Sequence, residues 1–142
     1  APGVIVQKSP LLQRVVSGEP YLEKRVDWLG DGEMAGDALA AYEIGVSCVD
    51  YLVARTGSVV LRTHSSGGRR LSVLSPTHIA IATEKQLVPS LDAALTVFNA
   101  DSENASYGAI ITGPSRTADI QKNLVLGAHG PKRLIVIVTP EN

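Results

Sequence analysis

The chain has 142 residues, of which 44% are hydrophobic and 19% are charged, and its formal net charge is -1. This length suits one domain whose core is large enough to need no disulfide or metal support. The composition excludes a disordered chain, and the near-neutral charge does not favour a nucleic-acid-binding protein. Because aromatic residues make up only 4%, we expect a core of Val, Ile, Leu and Ala.

Cysteine usage and hydropathy indicate the cellular compartment. The single cysteine, Cys48, excludes an internal disulfide, and it excludes an iron-sulfur cluster ligated by this chain alone. No apolar run reaches the roughly 18 residues needed to cross a bilayer. Ala1–Ser9 also lacks the apolar segment of a secretory signal. We therefore expect a soluble, cytoplasmic protein.

The first third of the chain predicts one strand followed by helices. Gly3–Val6 is apolar and predicts the strand. Ser9–Pro10 predicts the start of a helix, because serine is a favoured N-cap and proline suits the first helical position, and Gly18 is expected to end it. Glu19–Ala41 mixes apolar and acidic residues, which predicts two short amphipathic helices broken at Gly30–Gly32.

A β-hairpin is predicted in the middle of the chain. Asp50–Ala54 and Ser58–Leu61 are apolar runs joined by a short connection that contains glycine. The polar, glycine-rich segment Thr63–Arg70 follows. We interpret it as an exposed loop, or alternatively as a lid in which Arg69 and Arg70 close over a bound anion.

The last half alternates strands and helices. Thr77–Thr83 alternates as a central strand does, and Pro89–Asn99 carries apolar residues at helical spacing. Ala109–Thr112 and Leu134–Val138 are short apolar, β-branched runs that predict buried strands. This order of elements is typical of an α/β domain with a partly parallel sheet.

The polar turn Gly113–Asp119 is the first candidate site, because it follows a strand directly. Amides at the start of a following helix, together with the hydroxyls and guanidinium of the turn, can bind an anion there. The ligand-binding candidates are Gly113, Pro114, Ser115, Arg116 and Thr117. In the alternative interpretation a hydroxyl caps the helix and Arg116 pairs with Asp119 at the surface. The GxxxxGK[ST] spacing of a phosphate-binding P-loop is absent.

The hairpin tip, Arg55, Thr56, Gly57 and Ser58, is the second candidate. A guanidinium suits a carboxylate through bidentate pairing, and the adjacent amides and hydroxyls can add further donors. Alternatively, the three residues after Arg55 simply form the turn, with a positive φ at Gly57. We hypothesise that Arg55 and Arg116 converge on one anion.

Acid-base candidates are few. His129 lies in a turn between two glycines and is the best general acid-base candidate, and Asp119 is the carboxylate that the motifs supply. His78 lies in an apolar strand, which favours a structural histidine over a base. His64, His78 and His129 do not have the spacing of a metal site.

Three stretches resemble the lactate utilisation protein C group, also called the LUD domain family. They are Asp50–Leu61, Arg70–Ala82 and Thr112–Val136, and the resemblance extends over roughly Trp28–Val138. Longer family members carry more N-terminal sequence, so we expect this single domain to lack it. The hairpin turn usually reads Glu-Thr-Gly-Thr in the family, whereas this chain has Arg55–Ser58, so a role of that glutamate is not carried over.

The resemblance implies both a fold and a function. The fold would be a three-layer α/β sandwich with a mixed, largely parallel sheet, shared with ribose 5-phosphate isomerase and CoA transferases. The function would be that of a subunit in the oxidation of L-lactate to pyruvate, beside iron-sulfur partner proteins that carry the clusters while this chain holds no cofactor. A free-standing enzyme of the isomerase or CoA-transferase type, or a purely structural subunit, are the alternatives.

Overall fold

The computed structural model describes residues 3–30, 34, 36–62, 71–100, 108–112 and 131–140. Within them, the strands are β1 (Val4–Gln7), β2 (Val26–Leu29), β3 (Ile44–Cys48), β4 (Tyr51–Val53), β5 (Ser58–Arg62), β6 (Thr77–Thr83), β7 (Leu87–Val88), β8 (Gly108–Ile111) and β9 (Arg133–Thr139). The helices are α1 (Pro10–Ser17), α2 (Pro20–Glu23), α3 (Gly36–Ala40) and α4 (Leu91–Ala100), with a further helical segment at 71–74 and a 3₁₀ turn at Glu84–Gln86.

The strands form two sheets. Sheet A has the order β2-β1-β3-β6-β9, and every neighbouring pair in it is parallel. Sheet B has the order β7-β4-β5-β8, in which β5 pairs antiparallel with β4 and β8, while β7 lies parallel to β4. The predicted α/β fold with a largely parallel central sheet is therefore confirmed.

Helix α1 covers the outer face of sheet A. The Ser9 hydroxyl accepts a hydrogen bond from the Leu12 amide at 3.2 Å, which caps the helix as predicted. Leu12 is buried and packs against Val6 and Ile81 of the sheet. The helix ends before Gly18, whose amide donates to the Arg14 carbonyl.

Sheet B packs on the inner face of sheet A. Ala80 and Ala82 of β6 are fully buried, and their small side chains let the second sheet approach closely. The facing residues of sheet B that complete this cluster are Leu52, Val59 and Leu61. Helix α4 covers the other face of sheet B through Ala94. The layers thus run α1, sheet A, sheet B and α4.

The predicted hairpin is confirmed, because β4 and β5 pair antiparallel. Strands β8 and β9 lie where the sequence indicates. Their predicted burial is wrong, because each is the edge strand of its sheet, and Ile110 of β8 and Ile137 of β9 are exposed. The predicted helix at Pro89–Asn99 begins two residues later. The Ser90 hydroxyl accepts from the Ala93 amide at 3.2 Å and caps α4, so Pro89 precedes the helix.

The prediction of two short amphipathic helices in Glu19–Ala41 is correct only in part, because α2 and α3 lie in this segment but a strand lies between them. Strand β2 occupies the middle of this segment and pairs in parallel with β1. Trp28 contributes to the cluster under α1, whereas Leu29 contributes to the inner core. A strand that packs on both faces lacks a clean period of two, so its apolar residues resembled a helical stripe.

Gly45 of β3 allows the segment after the 71–74 helix to lie directly on sheet A. A Cβ at Gly45 would lie 2.7 Å from Ser75 Oγ and 3.2 Å from Leu71 Cβ. We predict that Gly45→Ala lowers the free energy of unfolding by about 2 kcal/mol, because an added methyl overpacks a tight interior. Urea denaturation measures this.

The matched control for that substitution is Gly36→Ala. A Cβ at Gly36 would meet no heavy atom of the described residues within 4 Å, so the change is expected to leave stability the same or raise it slightly through helix propensity. Equal effects of the two substitutions would contradict the close approach at Gly45.

Candidate functional site

Three hydroxyl groups form a hydrogen-bonded chain at one edge of sheet B. Ser58 Oγ lies 2.6 Å from Thr56 Oγ1 and 2.9 Å from Thr112 Oγ1. Ser58 is only 3% exposed, while Thr56 and Thr112 are exposed. The hydroxyl chain therefore runs from solvent, through a buried hydroxyl, and back to solvent.

The strand register brings these residues together. Strands β5 and β8 are antiparallel, with Val59 opposite Ile111, so the first residue of β5 lies beside the residue that follows β8. At the hairpin tip Gly57 has a φ of 68°, which favours glycine, and its amide donates to the Val53 carbonyl at 2.9 Å. The hairpin turn and the end of β8 thus share one edge.

The two internal hydrogen bonds of the hydroxyl chain leave one of its three protons over. Three hydroxyls carry three protons, and the two internal hydrogen bonds use two of them. The third proton can be donated outward from an exposed end of the chain. Arg55 is exposed beside Thr56 and adds a permanent positive charge. A neutral donor and a guanidinium at one edge are the groups that bind a carboxylate.

The structure describes only some of the predicted site residues. Arg55, Thr56, Gly57 and Ser58 all lie at this edge, and Ser58 contacts Thr112, the residue before the predicted polar turn. The other candidates lie outside the described residues. They are Gly113, Pro114, Ser115, Arg116, Thr117, Asp119, His129, His64, Arg69 and Arg70. Convergence of Arg55 and Arg116 therefore stays a prediction.

A second polar cluster, which the sequence did not indicate, lies at the carboxyl edge of sheet A. The order β2-β1-β3 places the topological switch point between β1 and β3, where open α/β sheets commonly bind ligands. There the Cys48 amide donates to Gln7 Oε1 at 3.1 Å, and Cys48 Sγ lies 3.4 Å from Ser9 Oγ. Burial raises the pKa of the Cys48 thiol, which favours the protonated, unreactive form.

His78 lies in the core and does not contribute to either edge. Its side chain is fully buried, and its Nε2 atom lies 2.7 Å from Ser47 Oγ on the neighbouring strand. Burial lowers the pKa of His78 to about 4, so the ring is neutral at pH 7. These contacts agree with the structural interpretation of this histidine.

The two-sheet architecture and the polar edge define an α/β domain whose family can be identified. The LUD domain family model matches residues 22–139. The chain therefore belongs to the LUD domain family, which confirms the resemblance seen in the sequence.

Relatives of known name agree with this assignment. Lactate utilization protein C of Oceanobacillus iheyensis is 35% identical over 100 residues, which cover 68% of this chain and 43% of that protein. The protein of the same name from Anoxybacillus flavithermus is 33% identical over 121 residues, covering 83% of this chain and 54% of that protein. This chain spans about half the length of the curated relatives it matches.

A solved structure has a similar fold. The crystal structure of a DUF162 family protein from Deinococcus radiodurans matches with a TM-score of 0.62 and 18% identity, covering 96% of this chain and 87% of that one. At this identity the likeness concerns the fold alone. Among the described residues, no helix combines the length and apolar character that a membrane crossing requires.

We predict that Ser58→Ala lowers the free energy of unfolding by about 1 kcal/mol, because it removes a buried hydroxyl and both hydrogen bonds of the chain. Thr96→Ala is the control, since it removes an exposed hydroxyl that donates to the Asp92 carbonyl at 2.9 Å. Chemical denaturation of both variants is the measurement. A loss at Ser58 no greater than that at Thr96 would show that the hydroxyl chain does not stabilise this edge.

His78 makes stability depend on pH. Its unfolded pKa is about 6.5 and its folded pKa is about 4, so between these values the unfolded chain binds the proton more readily. Stability is therefore complete above about pH 6.5 and falls by up to about 3 kcal/mol as the pH approaches 4. Urea denaturation across this range measures the slope. The control His78→Gln should flatten the profile, and an unchanged slope in that variant would assign the dependence to other groups.

Proposed function

We propose that this chain is a subunit of an L-lactate utilisation system that oxidises lactate to pyruvate in the cytoplasm. The reaction releases two electrons and two protons, and iron-sulfur clusters on partner proteins would accept the electrons. Family membership and the names of the relatives support this role. The contribution of this chain would be to bind and position a small carboxylate.

The contact between Ser58 and Thr112 is the observation that carries the anion-binding part of the proposal. It joins two of the stretches by which the sequence resembles the LUD family, Asp50–Leu61 and Thr112–Val136. Ser58 and Thr112 are 54 positions apart in the sequence, and they meet at an exposed edge that offers hydroxyl donors. The meeting of two family motifs at polar side chains favours a functional edge over a purely structural one.

The chemistry of the edge suits lactate and pyruvate. In the proposal the Arg55 guanidinium pairs with the carboxylate, and an end of the hydroxyl chain donates to an oxygen of the ligand. Residues Gly113–Thr117, with Arg116 among them, would complete the site. His129 and Asp119 are the proposed acid-base groups for the 2-hydroxyl proton.

Titration with L-lactate and pyruvate, followed by calorimetry, tests whether the protein binds a small carboxylate. We predict that Arg55→Ala weakens binding about tenfold, since it removes a charge-assisted pair worth about 1.4 kcal/mol. Arg25→Ala is the matched control, because Arg25 lies 4.2 Å from the centre of the Tyr21 ring, on a turn remote in sequence. The proposal fails if Arg55→Ala keeps full affinity for every carboxylate or phosphate that the wild type binds.

Co-purification tests whether iron-sulfur proteins are partners of this chain. The tagged full-length protein, isolated from cells grown on L-lactate, is expected to retain proteins with the visible absorbance of iron-sulfur clusters. Loss of the protein should abolish growth on L-lactate while growth on pyruvate continues. Turnover of a sugar phosphate or a CoA ester by the isolated protein, together with normal growth on lactate, would favour the stand-alone enzyme instead.

A further inference from the structure

A group of buried polar side chains lies on the inner face of sheet A, away from both edges. Ser47, Ser75 and His78 are each at most 1% exposed. Ser47 and His78 belong to neighbouring parallel strands, while Ser75 follows the helical segment at 71–74. Polar groups this deep normally have hydrogen-bond partners, so each atom must be accounted for.

Two atoms of this group lack a partner. His78 Nε2 bonds with Ser47 Oγ, but His78 Nδ1 and Ser75 Oγ have no hydrogen-bond partner in the part of the chain that the structure describes. A neutral imidazole carries either a proton or a lone pair on Nδ1, so either tautomer leaves this atom with an unmet hydrogen bond. An unsatisfied polar group in the core destabilises the folded state, so a partner for each of these atoms is expected.

The strand register places Ser75 and His78 on the same side of sheet A, above neighbouring strands. Gly45 is the register partner of His78, so the two residues face the same side of the sheet. Ser75 Oγ lies only 2.7 Å from the position that a Cβ of Gly45 would occupy. The Ser75 hydroxyl and the His78 ring therefore lie above adjacent strands, on the same face of the sheet.

We propose that one internal water molecule bridges Ser75 Oγ and His78 Nδ1. Water can donate to one atom and accept from the other, so it satisfies both groups whichever tautomer the ring adopts. The resulting chain, Ser47 to His78 to water to Ser75, joins β3, β6 and the segment that follows the 71–74 helix. Buried waters with such partners are a regular part of protein interiors, about one per 27 residues.

A high-resolution crystal structure of the wild-type protein is the direct test. We expect an ordered water at roughly 2.7–3.2 Å from both Ser75 Oγ and His78 Nδ1. In solution, cross-relaxation between a long-lived water and the His78 ring protons should appear in NMR spectra. A direct bond between Ser75 and His78, or a dry site without this cross-peak, would overturn the proposal.

Two variants distinguish the loss of the bridging water from a general change in core packing. Ser75→Ala removes one of the two partners of the water, so we expect the cross-peak to be lost. Ser47→Ala removes only the partner of Nε2, so the cross-peak should persist. A cross-peak that survives Ser75→Ala unchanged, or that vanishes only in Ser47→Ala, would place the water elsewhere and contradict the assignment.

Discussion

The packing of sheet B on β6 is the contact on which the rest of the structure depends. Ala80 and Ala82 present only methyl groups, so the larger side chains of the hairpin fill the space between the sheets. Gln86 fixes the same junction, because its Nε2 donates to the Val49 carbonyl at 2.6 Å and to the Asp50 carbonyl at 3.2 Å. Core packing and one amide side chain thus set where the hairpin leaves the parallel sheet.

The packing at this junction determines where the candidate site lies. The tip at Arg55 is held by strands that are buried on both faces, and Ser58 bonds to Thr112 at the end of a third strand. A site on paired strands is positioned more precisely than one on a free loop. The Ser58 hydroxyl is held in place by its two hydrogen bonds. A group ordered in this way would lower the entropic cost of the proposed binding.

Local signals in the sequence predicted the elements that local interactions stabilise. The Ser9–Pro10 cap, the hairpin around Gly57 and the alternation of β6 were all predicted from neighbouring residues and are confirmed. Strand β2 was predicted as helix. Strand β3 was not predicted, because its inward-facing residues Gly45 and Ser47 are not large apolar residues and so interrupt the hydrophobic pattern of a strand. Both strands depend on pairing with partners distant in sequence, which local patterns do not report.

The candidate site shows the same difference between features that local sequence signals indicate and features that depend on long-range contacts. Arg55 and its neighbours were proposed as ligand-binding residues from residue chemistry and family likeness, and their role stays a prediction. The contact of Ser58 with Thr112 agrees with the expected meeting of these two segments. The cluster of Gln7, Ser9 and Cys48 and the pair of Ser47 and His78 were not expected, since they join residues 31 to 41 positions apart. Such contacts follow from strand order, and strand order follows from how the whole core packs.

A titration of the isotopically labelled protein with L-lactate, followed by amide chemical shifts, tests the central claim most directly. If the edge at the hairpin tip binds the carboxylate, the amides of Thr56, Gly57, Ser58 and Thr112 will shift together and saturate with one dissociation constant. Shifts confined to the carboxyl edge of sheet A, at Ser9 and Cys48, would contradict the account. So would an unchanged spectrum with lactate and pyruvate alike.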